Sequence, residues 1–325
     1  MATSDARQRV SEERLVTLEM FFQNLLNALQ WGSFYALIAL GYTLVYGVLL
    51  LINFAHGDIF MVGAYIGYFI ATFLTSATLT GMSVTLPGWV VLAISVILTM
   101  GLTSLVGVGL ERTAYRPLRR KGANRLYVVI TALMAGLILE NGNLALLGAS
   151  RRHFPELLTS TVYHIGGVAL TNVKVIVIVT CLLVFAFLET IVRKTKIGMA
   201  MRAISWDRVA VPLMGIPADR IIVFTFVLGS SMAALAGILF ALAYPVLEPY
   251  MGALVGWKAF IAAVVGGIGS IPGAFVGGFI LGFTEIFVAA VFPSTLRDLI
   301  AFSVLLVLLS LKPTGIFGMV RTAKL

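Results

Sequence analysis

Nine apolar blocks, each near the length of a lipid crossing, set what this chain can become. They lie at about 21–51, 57–75, 88–110, 125–148, 172–192, 221–243, 253–268, 273–292 and 295–311. An apolar run of roughly 18 or more residues with few charges is a candidate membrane span. A soluble core supplies one or two such runs, not eight. Charge agrees: only 11% of the 325 residues are Asp, Glu, Lys or Arg, against about 25% in soluble domains. The expected fold class is therefore all-α, a polytopic transmembrane helical bundle with about 8–10 crossings, short broken helices included.

Orientation is read from the cations. Arg112, Arg116, Arg119, Arg120, Lys121 and Arg125 crowd 111–126 against Glu111, and Arg193, Lys194, Lys196, Arg202, Arg208 and Arg220 crowd 193–220 against Asp207 and Asp219. Both loops are expected in the cytoplasm by the positive-inside rule, which leaves 149–171 outside despite Arg151 and Arg152. The tail with Lys312, Arg321 and Lys324 is expected to return to the cytoplasm, with 253–268 and 273–292 as separate, short crossings. Residues 1–19 (Asp5, Arg7, Arg9, Glu12, Glu13, Arg14 and Glu19 among them) read as a polar cytoplasmic extension. They lack the layout of a cleaved signal peptide, so the first apolar segment is expected to stay in the protein. The transmembrane domain then runs over 20–318 and a tail over 319–325. Segment 21–51 either crosses once with tilt or folds back as two half-helices, with Gly41 and Gly47 the cheapest places to break.

Several chemistries find no support. The net charge of +9 sits in loops and tails rather than on a water-exposed basic face, which argues against nucleic acid. One cysteine, Cys181, builds no intramolecular disulfide or thiolate cluster. His56, His153 and His164 are far apart and show no metalloprotease spacing. Nothing fits the Walker A pattern, and Pro272 stands where a dinucleotide loop needs its last glycine. No metal, cofactor or catalytic residue is expected in this chain.

Two interrupted stretches look alike. One is Asn53-Phe54-Ala55-His56-Gly57-Asp58; the other runs from Gly266, Gly267 and Gly269 through Pro272 and Gly273. Paired Gly/Pro-broken segments point to an internal repeat and its transport pathway; the alternative is a pair of turns at the membrane surface. Ionisable and amide groups inside apolar segments, Glu140 with Asn141, Lys258 and Glu285, mark a pathway or a subunit contact. Interhelical hydrogen bonding or snorkelling is the alternative for each, and Lys258 in particular suits snorkelling. His56 and Asp58 sit at a segment edge. In the 193–220 loop, Gly198–Ser205 suits a short amphipathic helix with Arg202 and Ala203 on it, and Ser205 or Asp207 could cap the next turn. Its mixture of apolar residues and cations suits a lipid surface or a groove on a partner protein.

Taken together, Gly41-Tyr42-Thr43-Leu44-Val45-Tyr46-Gly47, Ile52 to Asp58, Lys258-Ala259-Phe260, Gly266 to Ala274 and Lys312 to Gly318 resemble the H-type permease of the Liv (leucine-isoleucine-valine) system. That is the membrane subunit of branched-chain amino acid ABC importers, and the resemblance covers about residues 20–318. It implies an ABC importer permease fold in a bacterial inner membrane. It also implies a second, M-type permease, two cytoplasmic ATPase subunits that carry the ATP and Mg, and a periplasmic substrate-binding protein. The segment Gly198–Ile216, with Ala210, Gly215 and Ile216, matches the family's ATPase-docking segment; Pro212 and the Val209/Val211 pair depart from its Ala-rich form. Glu140 stands where many relatives carry Gln. The same superfamily includes carriers of urea, short amides and aromatic acids, and an ion-coupled secondary transporter is the alternative from another class.

Overall fold

The computed structural model describes the backbone of residues 2–79 and 86–318, with side chains from 18–76 and 86–318. The expected tail at 319–325 lies outside the described residues. Helix α1 spans Ala2–Leu49, α2 His56–Leu79 and α3 Gly88–Leu110. A π-helical turn, Glu111–Tyr115, joins α3 to α4, Arg116–Arg120; α5 follows at Arg125–Leu147. Short strands β1 (Arg152–His153), β2 (Val162–Ile165) and β3 (Val168–Thr171) precede α6, Asn172–Lys194. Then come α7 (Lys196–Trp206), α8 (Ala210–Leu213), α9 (Ala218–Ala243), strand β4 (Val246–Leu247), α10 (Met251–Gly266), α11 (Ile271–Val291) and α12 (Arg297–Leu311).

Eight of the described helical spans are long and apolar enough to cross a bilayer, α3 to α4 counting as one of 33 residues. Helix α10 is shorter, at 16 residues, or about 24 Å at 1.5 Å per residue. That falls short of a hydrocarbon core of about 30 Å.

A helix apolar all round belongs in the interior, and α1 is that helix. Its stretch from Ser33 to Val45 is buried throughout, wrapped by α6, α9, α10 and α11. Helices α2 and α9 run side by side in the same direction, with Gly63 against Ala234 and Gly67 against Ile238. Helix α3 runs antiparallel to both: Ser104 Oγ lies 2.8 Å from Ser231 Oγ, and Gly67 meets Thr99.

The two faces of the bundle are distinct. On one, the end of α1 at Leu49–Leu51 meets Arg119, Arg125, Ile204 and Arg208. The turn between α10 and α11 also lies on this basic face, because Gly269 touches Tyr46 and Gly47. Ile316 and Phe317 donate backbone N–H groups to the Val265 and Gly266 carbonyls there, each at 2.9 Å. The opposite face carries a β2–β3 hairpin, turned by Gly166 and Gly167, both at positive φ, as a two-residue primed turn demands. The two-residue pairing of β1 with β4 lies there as well.

Helix α1 crosses once and does not break at Gly41 or Gly47. Its first described side chains reach the face opposite the basic loops: Glu19 lies against Gly167, and Gln23 exchanges hydrogen bonds with the backbone of Ala169 (2.9 and 3.3 Å). The expected placement of 1–19 beside the basic loops is thus corrected. A continuous helix from Ala2 through the membrane sets its N-terminal end on the 149–171 side.

Candidate functional site: a helix break at mid-depth and a basic-face loop

Helix α1 ends with Leu50 at φ 54, a left-handed conformation that is uncommon away from glycine. Residues 51–54 then re-enter the bundle outside the regular helices. Their depth is fixed by contacts. The His56 ring fills the notch left by Gly41, and a Cβ on Gly41 would also lie 3.1 Å from the Gly229 carbonyl oxygen. Gly229 is eleven residues into α9 (229 − 218), about 16 Å from its basic-face end. Helix α2 therefore starts near the middle of the bilayer.

Non-helical backbone survives at that depth only where protein or a watery cavity surrounds it, and the Asn53–Asp58 motif packs into the bundle residue by residue. Asn53 Oδ1 accepts a 2.6 Å hydrogen bond from the Tyr115 hydroxyl, beside the π turn. Phe54 packs on Trp257 and Phe260. His56 lies edge-on to Tyr42, ring centroids 4.7 Å apart. Gly57 marks where α2 and α10 cross: a Cβ there would stand 2.7 Å from the Gly252 carbonyl oxygen and 2.8 Å from Gly256 Cα. Both obstacles are backbone, so no side-chain rotation relieves them.

Asp58 lies in the first turn of α2, and its Oδ1 is 3.0 Å from where a Gly252 Cβ would stand, in the first turn of α10. Asp58, 8% exposed, thus sits where α2 and α10 present the positive ends of their first turns. Its Oδ1 has no hydrogen-bond partner among the described residues. The other carboxylate oxygen faces Gly136 of α5. One turn further along α5 is the half-buried Glu140, whose charge acts on Asp58. Asn141 does not join them; it is exposed and donates to its own helix at the Leu137 carbonyl, 2.8 Å.

The partner break is not where the sequence pattern placed it. The Gly266–Gly273 stretch is a turn at the basic face: Gly267 adopts φ 107, and a Cβ on it would stand 2.5 Å from the Gly318 nitrogen. The break that mirrors 50–55 is 244–250, which descends from the far end of α9 to the start of α10. Tyr244 stacks near Trp31 at 5.2 Å, whereas Gly252 already touches Gly57 and Met61. Strand β4 within it gains backbone partners from β1. The readable signals for this break were Pro245 and Pro249 ahead of Gly252 and Gly256, which stand four apart.

Lys258 and Glu285 pair with each other, the interhelical alternative given for them above. Lys258 Nζ is 2.8 Å from Glu285 Oε1, an ion pair by distance rather than by hydrogen-bond alignment, and 2.8 Å from Asp298 Oδ1. The Tyr35 hydroxyl donates to Glu285 Oε2 at 2.7 Å. This network ties α1, α10, α11 and α12 together. A second one, unforeseen from sequence, lies on the basic face: Arg116, Arg119 and Arg120 converge on Asp219, and Arg119 also reaches the buried Glu111 at 2.9 Å.

The 195–216 segment is built stiffly. Thr195 caps α7 by accepting from the Gly198 nitrogen at 3.1 Å. Gly198 is pressed onto the Ile191 and Val192 carbonyls at the end of α6, and Arg202 donates to the Val192 and Arg193 carbonyls at 2.5 and 3.3 Å. Helix α7 buries Met201 and Ile204, with Ala203 half-buried. Asp207 Oδ1 then accepts from the Val209 and Ala210 nitrogens at 2.8 and 3.0 Å, which holds its carboxyl below the usual carboxylate range. Pro212 leaves α8 only four residues long, and Gly215 (φ 79) turns the chain towards the half-buried Ile216 and α9. Val209, Leu213 and Met214 project outward, 79%, 86% and 78% exposed.

A polytopic helical bundle with two half-helices meeting at mid-depth, and an apolar segment presented on its basic face, is the architecture of a membrane permease. The chain belongs to the family described as branched-chain amino acid transport system, permease component, whose profile matches residues 24–309. It is similar to the high-affinity branched-chain amino acid transport system permease protein BraD of Pseudomonas aeruginosa, with 40% identity over 92% of this chain and 96% of that relative. The corresponding protein LivH of Escherichia coli K12 is 37% identical over 92% of this chain and 96% of its own length. A probable LivH permease of Methanocaldococcus jannaschii is 29% identical over 79% of this chain and 78% of its own. No solved structure gives a significant match.

Proposed function

We propose that the chain is one half of the membrane pathway of an ATP-driven importer of branched-chain amino acids in a bacterial inner membrane, its basic face cytoplasmic. The second half is a related M-type permease. Two ATPase subunits carry Mg-ATP and the chemistry of hydrolysis, and a periplasmic binding protein delivers the substrate. The observation that carries this reading is the docking segment. Exposed apolar clusters mark protein-interaction or membrane surfaces, and Val209, Leu213 and Met214 form one beside Gly215, anchored through Arg202 to α6 and through Gly215 to α9.

Movement of that segment is transmitted because α7 packs on α1, α6 and α9, and α9 lies along α2 and α3. A tilt of α9 therefore reaches the Gly57–Gly252 crossing, where α2 and α10 can part around Asp58 and Glu140. The substrate then meets dispersed polar groups rather than a closed pocket, and selection rests with the binding protein.

The test is reconstitution of leucine uptake in proteoliposomes with and without the ATPases and binding protein. Uptake is expected only with all partners and ATP, and Gly215→Asp is expected to abolish co-purification of the ATPases. Uphill uptake by this chain alone, or intact co-purification of the variant, overturns the reading.

A further inference from the structure

A cavity of about 360 Å³ opens on the basic face between the end of α1, the start of α5 and the end of α7. Neither the docking segment's apolar row nor the mid-depth break accounts for it. Arg119, Arg125 and Arg208 line it, with Ser205 and Trp206 beside them, and no carboxylate is among its lining residues. Of the three cations only Arg119 is neutralised, by Glu111 and Asp219. Among the described residues no carboxylate lies within ion-pair distance of Arg125 or Arg208. The nearest acid in sequence, Asp207, is committed to the Val209 and Ala210 nitrogens. The Arg208 guanidinium is pushed down by burial first and then by Arg119 and Arg125, so the three charges strain one another. The cavity also receives the positive end of α5, which starts at Arg125.

Like charges gathered around one cavity attract an anion, and guanidinium groups fit phosphate oxygens through paired N–H donors. The remaining wall is apolar, formed by Leu49, Leu50, Leu51, Val128 and Ile204. Outside the mouth, Trp206 is 72% exposed and α5 shows a column of exposed Leu126, Tyr127 and Ile130 leading into the membrane. Tryptophan at such a level matches the interfacial belt of membrane proteins. We infer that this cavity is a binding site for a phosphate group, and that its occupant is the headgroup of an anionic phospholipid whose acyl chains lie along α5. Basic pockets between helices on the cytoplasmic side suit such headgroups.

Native mass spectrometry of the full chain purified in detergent tests this. The probes are phosphatidylglycerol, phosphatidylcholine with the same acyl chains, and inorganic phosphate. Retention of phosphatidylglycerol is expected to exceed that of phosphatidylcholine by about thirtyfold, two surface cations being worth about that factor. Arg125→Gln/Arg208→Gln should bring the two lipids to parity. Lys121→Gln, which removes an exposed cation outside the cavity, should keep the preference. Arg125→Lys/Arg208→Lys, which retains the charge and guards against misfolding, should keep part of it. Parity in the unaltered protein, or a preference that survives the double Gln change, overturns the site. Inorganic phosphate that displaces the lipid at equal concentration overturns the lipid as its occupant. These outcomes are independent of uptake, so they separate this site from the transport reading.

Discussion

At the scale of single residues, the Lys258 ammonium shows what burial in a membrane bundle demands of a charge. Lys258 and Glu285 side chains are 12% and 2% exposed, and each is acceptable only because the other is there. Lys258→Met leaves the Glu285 carboxylate with the Tyr35 hydroxyl as its remaining close donor. Removing one partner of a buried pair costs about 3–5 kcal/mol, whereas replacing both by apolar groups is often neutral. Thermal unfolding in detergent should therefore show Lys258→Met strongly destabilised and Lys258→Met/Glu285→Leu returned most of the way. A double variant no better than the single one would mean that packing, not charge pairing, holds α10 against α11. Asp58 differs in kind. Among the described residues no cation pairs with it; it lies beside the first turns of α2 and α10.

At the scale of elements, the docking segment is held by caps rather than by length, since α8 is only four residues long. Asp207 is the cap that responds to protonation. Two backbone N–H groups hold its folded pKa below its ordinary value, which for a free Asp is about 3.9. A depressed carboxylate contributes stability that is complete above the unfolded pKa and is lost as the pH falls through the folded one. The segment is therefore expected to be unaffected from neutral pH down to mild acid and to loosen only below about pH 4. Amide hydrogen exchange at Val209 and Ala210 measures this: Asp207→Ala should speed it several-fold at neutral pH, and Asp207→Asn, which keeps an acceptor oxygen, much less. Equal exchange in all three proteins would remove Asp207 from the role. Most elements were readable from sequence, because apolar length and turn residues report local structure directly. The short amphipathic helix, its Asp207 cap and the break before His56 all lie within a few residues of their signals. The second break was not readable in the same way. Its glycines, Gly252 and Gly256, matter only against Gly57, nearly 200 residues away in the chain (252 − 57 = 195), and nothing local distinguishes them from packing glycines elsewhere. The same holds for Glu285 and Lys258, whose pairing is a fact of tertiary structure.

At the scale of the whole molecule, the topology follows from where helices end. Among the described residues nine traverses, counting 50–79 and 244–266 as one each, join a far-side start to a basic-face finish, and the described loops fall on consistent sides. Sequence alone placed the basic loops by their cations but mistook the side of the N-terminal segment. Acidic residues contribute little to the rule, so Arg7, Arg9 and Arg14 count towards the cytoplasmic side and charge alone points the wrong way. The decisive information is that α1 is unbroken and that Glu19 and Gln23 lie against the β2–β3 hairpin. Cysteine labelling reads this out with little interference, because the chain has one cysteine, Cys181, and it is fully buried. In intact cells with a permeable outer membrane, Glu19→Cys should react with a membrane-impermeant maleimide. Lys121→Cys, on the basic loop, should react only once the inner membrane is opened. Tyr163→Cys, 56% exposed on β2, should behave as Glu19→Cys does. If Glu19→Cys instead needed lysis while Tyr163→Cys did not, α1 could not be one continuous crossing.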